Sequence, residues 1–492
     1  MELASDLRRA LDGLCAIGTP EVRENGEWLA GLEGVQYEVS AQGDAALLHL
    51  WSAQQSLVRR VLRVAEESAD RVVLEVNRFG FSKPAHLEFL ASSAQRDPRR
   101  VEREQFSSRL RRILTDHFPD ETLESMATSA DLHHSISGSY TRGVVRRGSL
   151  AYAVLAASPD EDVATIDGIL TFGLIWLQQT RDRARRYSVY GLRLFLPRGK
   201  STVTAHRMAA LAPPQEVELY EYQRPYWRVR RIARSNVGNV VTSIVPRHEI
   251  EQAIAVAMPL AERIRRLAPD AIRIGVTSGT QDVTLRFRGV EFARWRMGAM
   301  WYGLGDQQSV LTPQKWGALE ALVRQLETHR HALASDSKHR LYRAQPERWL
   351  ETMVAADPPR IDARLDPRFI YTQVPAVSSG DRGIIDLLGV TRDGRLAVLE
   401  LKASEDIQLV MQAVDYWLRV RAHHQQDDFS RFGYFPEVKL NAKPPLLFLV
   451  APGFRFHPST DIVLRYLSPE IEITRVALAE NWRKGLHVVF RQ

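Results

Sequence analysis

Residues 143–160 read GVVRRGSLAYAVLAASPD and residues 389–406 read GVTRDGRLAVLELKASED, and under a constant offset of 246 they agree at ten of eighteen positions. Each stretch has the pattern of a β-hairpin, and each is followed by the same further elements. A helix carries a Trp-Leu pair (Trp176 and Leu177, then Trp417 and Leu418), an apolar strand follows (LRLFLP, then LLFLVAP), and then a helix and a strand. Such a repeat signals one supersecondary unit built twice; shared strand and turn preferences are the other source of a likeness of this kind. Either way the order of elements is α/β.

At 492 residues the chain exceeds a single ordinary core, and three or four domains are expected. Strand-like alternation in YEVS, ALLHLWS, LVRRVLRVAEES and RVVLEVNRFG suggests a β-rich N-terminal domain over 1–95. The first copy of the repeat falls in 96–225, an α+β middle domain in 226–335, and the second copy in 336–492. The expected fold class is therefore α/β and multidomain. Charged residues make up 25% and apolar residues 45%, as in ordinary globular protein, and the net charge of +7 admits polyanionic partners. Cys15 is the sole cysteine, which rules out an internal disulfide framework and a Cys-based zinc site and fits a reducing, cytoplasmic setting. Glu2, Asp6, Arg8 and Arg9 interrupt what a signal peptide would need, and no segment is long and apolar enough for a bilayer, so no membrane partner is expected.

The two copies differ where charge is concerned. In RLAVLELKA, Glu400 and Lys402 are two apart and share a face. Asp386 joins them only if the turn is a three-residue loop of Arg392, Asp393 and Gly394, with Gly394 at positive φ; a two-residue loop would send it to the other face. The three-residue loop is expected, because two carboxylates on an apolar hairpin are costly unless a cation lies between them. Such a pair suits Mg²⁺, which keeps waters and accepts phosphate oxygens, and a nearby lysine can assist a metal-bound water. Ser404 reads as the N-cap of a following helix, with Ile407, Val410, Met411, Val414, Trp417 and Leu418 as its core stripe and Gln408, Gln412 and Tyr416 along another side. The preceding helix QPERWLETMVAAD offers Glu347 or Glu351 as a further acid.

These elements resemble the PD-(D/E)xK nuclease superfamily, and among it the nuclease domain of NucS-type endonucleases. The resemblance spans about residues 340–455 and rests on Glu351 in WLE, Asp386 in IIDLLG, Glu400 and Lys402 in ELK, and Gln412 and Tyr416 in QAVDY; the surroundings of Pro375 depart from it. It implies a restriction-endonuclease-like α/β domain and a Mg²⁺- or Mn²⁺-dependent nuclease, with metal on Asp386, Glu400 and the carbonyl of Leu401. Lys402 would assist the attacking water, with Glu351, Gln412 and Tyr416 in support. In the first copy the constant offset sets Val154 at the place of Glu400, Ala156 at that of Lys402 and Tyr140 at that of Asp386, and Thr171 stands for Gln412 after a five-residue insertion. That copy is expected to be a degenerate, metal-free nuclease-like domain.

Other signals are weaker. LPRGKST has Leu194 where a phosphate loop needs glycine. YEYQRPYWRVRRIARS interleaves aromatic residues with Arg228, Arg230 and Arg231, a composition that binds single strands by stacking and phosphate contact, or forms a solvated basic strand. The pairs His133-His134 and His423-His424 lack partners at ligand spacing. The expected activity is endonucleolytic cleavage of DNA rather than RNA, with a partner protein or self-association possible. The rival expectation is a nucleic-acid-binding or assembly protein that does not cut.

Overall fold

The computed structural model describes residues 2–492 apart from 18–19, 25–26, 32–35, 43–44, 52–55, 69, 78–83, 92–97, 129–135, 137, 214–215, 234–241, 278–281 and 379–380. His133 and His134 lie outside the described residues. The chain divides into two compact units, one of residues 1–239 with 458–467 and one of 240–457 with 468–492. The described residues are mixed α/β and form four sheets. None of the described helices is long and apolar enough to cross a membrane.

The N-terminal sheet has seven antiparallel strands between Glu21 and Leu90. Helix Glu2–Ile17 lays Leu7, Leu11 and Leu14 against it, the spacing that puts side chains on one helical face.

A six-stranded sheet follows, with Thr122–Ala127, Tyr140–Arg147, Leu150–Ala157, Ser188–Pro197, Glu216–Gln223 and Arg228–Ile232 side by side in chain order. Its successive pairings are antiparallel, antiparallel, parallel, parallel and antiparallel. In unit two, strands Leu365–Ser378, Asp381–Thr391, Leu396–Leu401, Leu446–Pro452, Ile473–Leu478 and Val488–Arg491 repeat that order and those directions. The short strand Thr242–Ser243 is added at the edge. In both sheets a helix precedes the first long strand (Pro98–His117; Pro346–Ala356), and a long helix connects the hairpin to its parallel neighbour (Val163–Arg183; Leu409–Gln425).

The faces of the two hairpins do not follow the sequence offset. Val154 and Ala156 pack in one core with Phe106 and Leu110 of the preceding helix, whereas Leu399 and Leu401 pack with Trp349, Leu350 and Val354 of theirs. Glu400 therefore lies on the face that corresponds to Leu155, one residue from the Val154 that a constant offset selects. Leu155 pairs across the hairpin with Arg142, so Arg142 and not Tyr140 stands where Asp386 does in the other sheet. The cause is the turn. Arg147 pairs with Leu150 around two residues, while the second hairpin closes around three. Because side chains alternate along a strand, a one-residue change in loop length exchanges faces.

In the second hairpin the Thr391 and Arg395 backbones meet around Arg392, Asp393 and Gly394, the expected loop. Gly394 has φ of +81°, and a Cβ there would lie 2.1 Å from the carbonyl oxygen of Lys439. Gly394→Ala is expected to cost about 2–4 kcal/mol, from left-handed strain and this clash together. An unchanged melting temperature would show that the turn adapts.

A five-stranded antiparallel meander, from Ile272–Val276 to Gln307–Val310, packs against helices Arg247–Arg265 and Trp316–His329. The second helix stops earlier than the pattern QKWGALEALVRQLETHRHALASD suggests. Arg330 is fully buried directly after it and donates to the carbonyls of Arg288 (2.8 Å), Leu341 (2.7 Å) and Gln345 (3.3 Å). These bonds satisfy a buried cation with backbone oxygens and fix the approach to helix Pro346–Ala356.

Candidate active site

The hairpin brings its charged residues together through register. Leu387 pairs with Leu399, and continuing by one residue sets Asp386 opposite Glu400. The Leu401 N–H donates to Asp386 Oδ2 at 3.1 Å, which holds that carboxylate over the end of the strand. Strand Leu396–Leu401 is buried along its whole length between two neighbours, antiparallel on one side and parallel on the other, and Glu400 is only 3% exposed. Glu400 Oε2 is buried and accepts no hydrogen bond among the described residues. Burial and then the Asp386 carboxylate push Glu400 well above the ordinary carboxylate range, with Lys402 only partly opposing them.

Lys402 Nζ lies 3.8 Å from Glu400 Oε1 and 3.1 Å from Asp406 Oδ2. Burial alone would lower its pKa, but Glu400, Asp406 and Glu347 outweigh that and hold it raised, so the ammonium stays charged. Asp406 is a residue that the motif did not indicate. Its Oδ1 also accepts from the Gln408 N–H at 2.8 Å, a local turn that competes with helix formation. The helix accordingly begins at Leu409 rather than after Ser404, and residues 404–408 form the loop that returns Asp406 to Lys402. Val410, Met411, Val414 and Trp417 are buried as the periodicity suggests, while Ile407 precedes the helix and Leu418 is half-buried.

Both acids of the preceding helix reach the site, one turn apart. Glu351 is buried, and its Oε2 accepts from Arg348 Nη1 at 2.6 Å. Burial raises its pKa to about 8; Arg348 opposes the shift and Asp386 adds to it. Glu347 is raised by burial as well, held down in part by Lys402 and by the backbone of Ala403. The helix thus sets Glu351 toward Asp386 and Glu347 toward Lys402. Arg348, also unmarked by the motif, bridges two acids, with Nη1 3.4 Å from Asp386 Oδ1. Asp386 itself is raised by burial, with Arg348 the largest opposing influence.

Tyr416 and Gln412 are half-buried on helix Leu409–Gln425. Burial, then the charges of Glu400 and Asp386, keep the Tyr416 phenol firmly protonated, which places it in the field of both acids. Gln412 stands one turn before Tyr416 on the same helix. Leu401 is buried within the strand. His457 is buried nearby, with its pKa lowered to about 4 by burial and Nε2 at 3.8 Å from Glu405 Oε1.

Among the described residues no three His, Cys, Asp or Glu side chains gather as a ready metal-binding group. The donor set at the hairpin nonetheless fits a hard divalent cation. Two carboxylates meet there, one with a buried oxygen that lacks a partner, and with Glu347, Glu351 and Asp406 around them the acids outnumber Lys402 and Arg348.

The basic strand lies elsewhere, at the edge of the six-stranded sheet. Arg230 pairs with Glu221 at 3.0 Å and Arg231 with Glu218 at 3.0 Å, so much of their charge is met within the sheet. Arg228 is exposed, with its guanidinium 5.9 Å from the ring of Tyr226. His423 is buried against Asp428 at 2.7 Å, an ordinary structural pair, and His424 Nε2 lies 2.8 Å from the Asn441 carbonyl. No protein-family model matches the chain, and a search of curated proteins finds no significant match.

Proposed function

We propose that the chain is a Mg²⁺- or Mn²⁺-dependent nuclease that hydrolyses phosphodiester bonds of DNA as an endonuclease. Its one active site would lie in a restriction-endonuclease-like domain over 336–492, with 96–225 a metal-free copy of that fold. The observation that carries the reading is that Asp386 and Glu400 come together just past the Leu387–Leu399 pair of the hairpin, with the Lys402 ammonium beside Glu400. The identical order and direction of strands in the two sheets supports duplication. Arg142 and Leu155 on the corresponding face of the first sheet leave no carboxylate pair to hold a cation. The choice of DNA over RNA follows from the family resemblance alone.

Asp386, Glu400 and the carbonyl of Leu401 would hold the ion, which when bound polarises the phosphate and lowers the pKa of water. Lys402 Nζ, charged at neutral pH, orients the attacking water and stabilises negative charge as it grows on the phosphate. Tyr416 keeps its proton and is a hydrogen-bond donor beside the acids. Glu351 fixes Arg348 next to Asp386, and Gln412 lines the same helix.

The test is cleavage of plasmid, linear and single-stranded DNA with Mg²⁺, Mn²⁺ or EDTA, alongside Glu400→Ala. Cleavage is expected only with metal and only with Glu400 intact; activity that survives both chelation and substitution refutes the mechanism. DNA retained in a salt-dependent manner, with no cutting under any metal, would favour a binding or assembly protein that uses contacts such as Arg228, Arg230 and Arg231.

A further inference from the structure

We infer that Arg348 takes the place of a second metal ion, so that the site binds a single divalent cation and uses a guanidinium where two-metal enzymes use another ion. The inference rests on the nuclease reading and deepens it.

The geometry comes first. Two-metal sites share carboxylates between ions a few ångströms apart. Of the carboxylates around Glu400, Arg348 Nη1 reaches both Asp386 and Glu351, at 3.4 Å from Asp386 Oδ1 and 2.6 Å from Glu351 Oε2. The remaining Asp386 oxygen is engaged by the Leu401 N–H. A second ion shared between Asp386 and Glu351 would have to displace the guanidinium from the position it bridges.

Charge gives the same answer. Glu347, Glu351, Asp386, Glu400 and Asp406 supply five carboxylates linked electrostatically through Asp386 and Glu400, against the cations Arg348, Lys402 and Arg286, the last acting on Glu351 from the meander. Counted as ionised, the cluster carries two negative charges in excess, which one divalent ion cancels. Two ions would leave two positive charges in excess, and removing Arg348 halves that excess.

Arg348 is also held too firmly to be an incidental surface residue. The turn at Gly289, φ +89°, approaches so closely that a Cβ there would lie 2.4 Å from the Arg348 backbone carbonyl. Arg330 pins Gln345, the residue before this helix, from the other end. The side chain is 31% exposed, so its guanidinium borders solvent while bound to two buried acids, a suitable place from which to contact a phosphate.

The experiment counts Mn²⁺ bound by the full chain, by calorimetry and by the EPR signal of free ion, for wild type, Arg348→Gln and Arg348→Lys. The expected result is one ion for wild type and for Arg348→Lys, which keeps a cation there, and two for Arg348→Gln. Cleavage by Arg348→Gln should fall about 100-fold at Mn²⁺ that saturates the wild type, and recover about tenfold as the second ion binds. Two ions bound by the wild type, or one by Arg348→Gln, overturns the inference and leaves the nuclease reading standing. If neither protein binds Mn²⁺, the metal reading itself fails and this inference with it. Arg348→Lys serves as the control for folding, since it preserves the charge that Glu351 and Asp386 require.

Discussion

Lys402→Met is expected to lower DNA cleavage by about 10²–10³-fold while Mn²⁺ binding survives or tightens. The ammonium is 3.1 Å from Asp406 and 3.8 Å from Glu400 and is held charged by both. Methionine fills much the same volume without the charge. Removing the cation leaves more negative potential for a metal ion, so affinity should not drop. What is lost is the group that orients water and meets charge on the phosphate. The metal-free variant should also be less stable near neutral pH, by about 3–5 kcal/mol, because two largely buried carboxylates lose their cation. Cleavage within about threefold of wild type would remove Lys402 from the mechanism. Loss of Mn²⁺ binding together with activity would instead make it a purely structural residue.

The second large effect is on pH. Glu351 has a pKa raised to about 8 from 4.5, so between those values the native protein holds a proton that the unfolded chain has released. Stability then falls as pH rises through that interval. Glu400 and Asp386 shift in the same direction. His457, lowered from 6.5 to about 4, acts oppositely below pH 6.5, and Lys402, raised, contributes nothing until far higher pH. The clear window is therefore about pH 6.5 to 8, across which Glu351 alone is expected to cost about 2 kcal/mol. On the nuclease reading Mn²⁺ displaces protons held by Asp386 and Glu400, both raised in pKa, so the melting temperature gained on adding it should grow as pH rises. Melting curves at several pH values, with and without Mn²⁺, measure this, and Glu351→Gln should flatten the metal-free slope. A metal effect that is the same at pH 6.5 and pH 8 would show that the ion does not compete with these protons.

Much of the hairpin was legible because its determinants are local. Alternation fixed the shared face of Glu400 and Lys402, and Gly394 fixed the loop length, hence the partner of Asp386. The strands of the N-terminal sheet from Tyr37 to Asn77 were visible for the same reason, whereas the short strands Glu21–Glu24 and Glu27–Gly31 carry too little alternation to stand out. Other features depend on contacts that no local pattern encodes. Arg348 looks like any charged residue on an amphipathic helix until Asp386 is brought beside it from 38 positions away. Asp406 read as part of a helix start, and only its turn onto Gln408 and its pairing with Lys402 reveal a different use. Glu347 and Glu351 both lie within electrostatic reach of Asp386, which sequence spacing alone does not tell. The offset of 246 aligned letters and misaligned faces, since identity between strands says nothing about which side of the sheet a residue takes when the turns differ in length.

The buried carboxyl of Glu400 near the end of strand Leu396–Leu401 burdens folding, and Lys402 offsets it only in part. The corresponding strand Leu150–Ala157 carries no charge and no such burden. On the nuclease reading, drift from glutamate to an aliphatic residue is downhill in folding energy while the return is uphill, so such a fold would ratchet toward inert stability wherever selection for cutting relaxed.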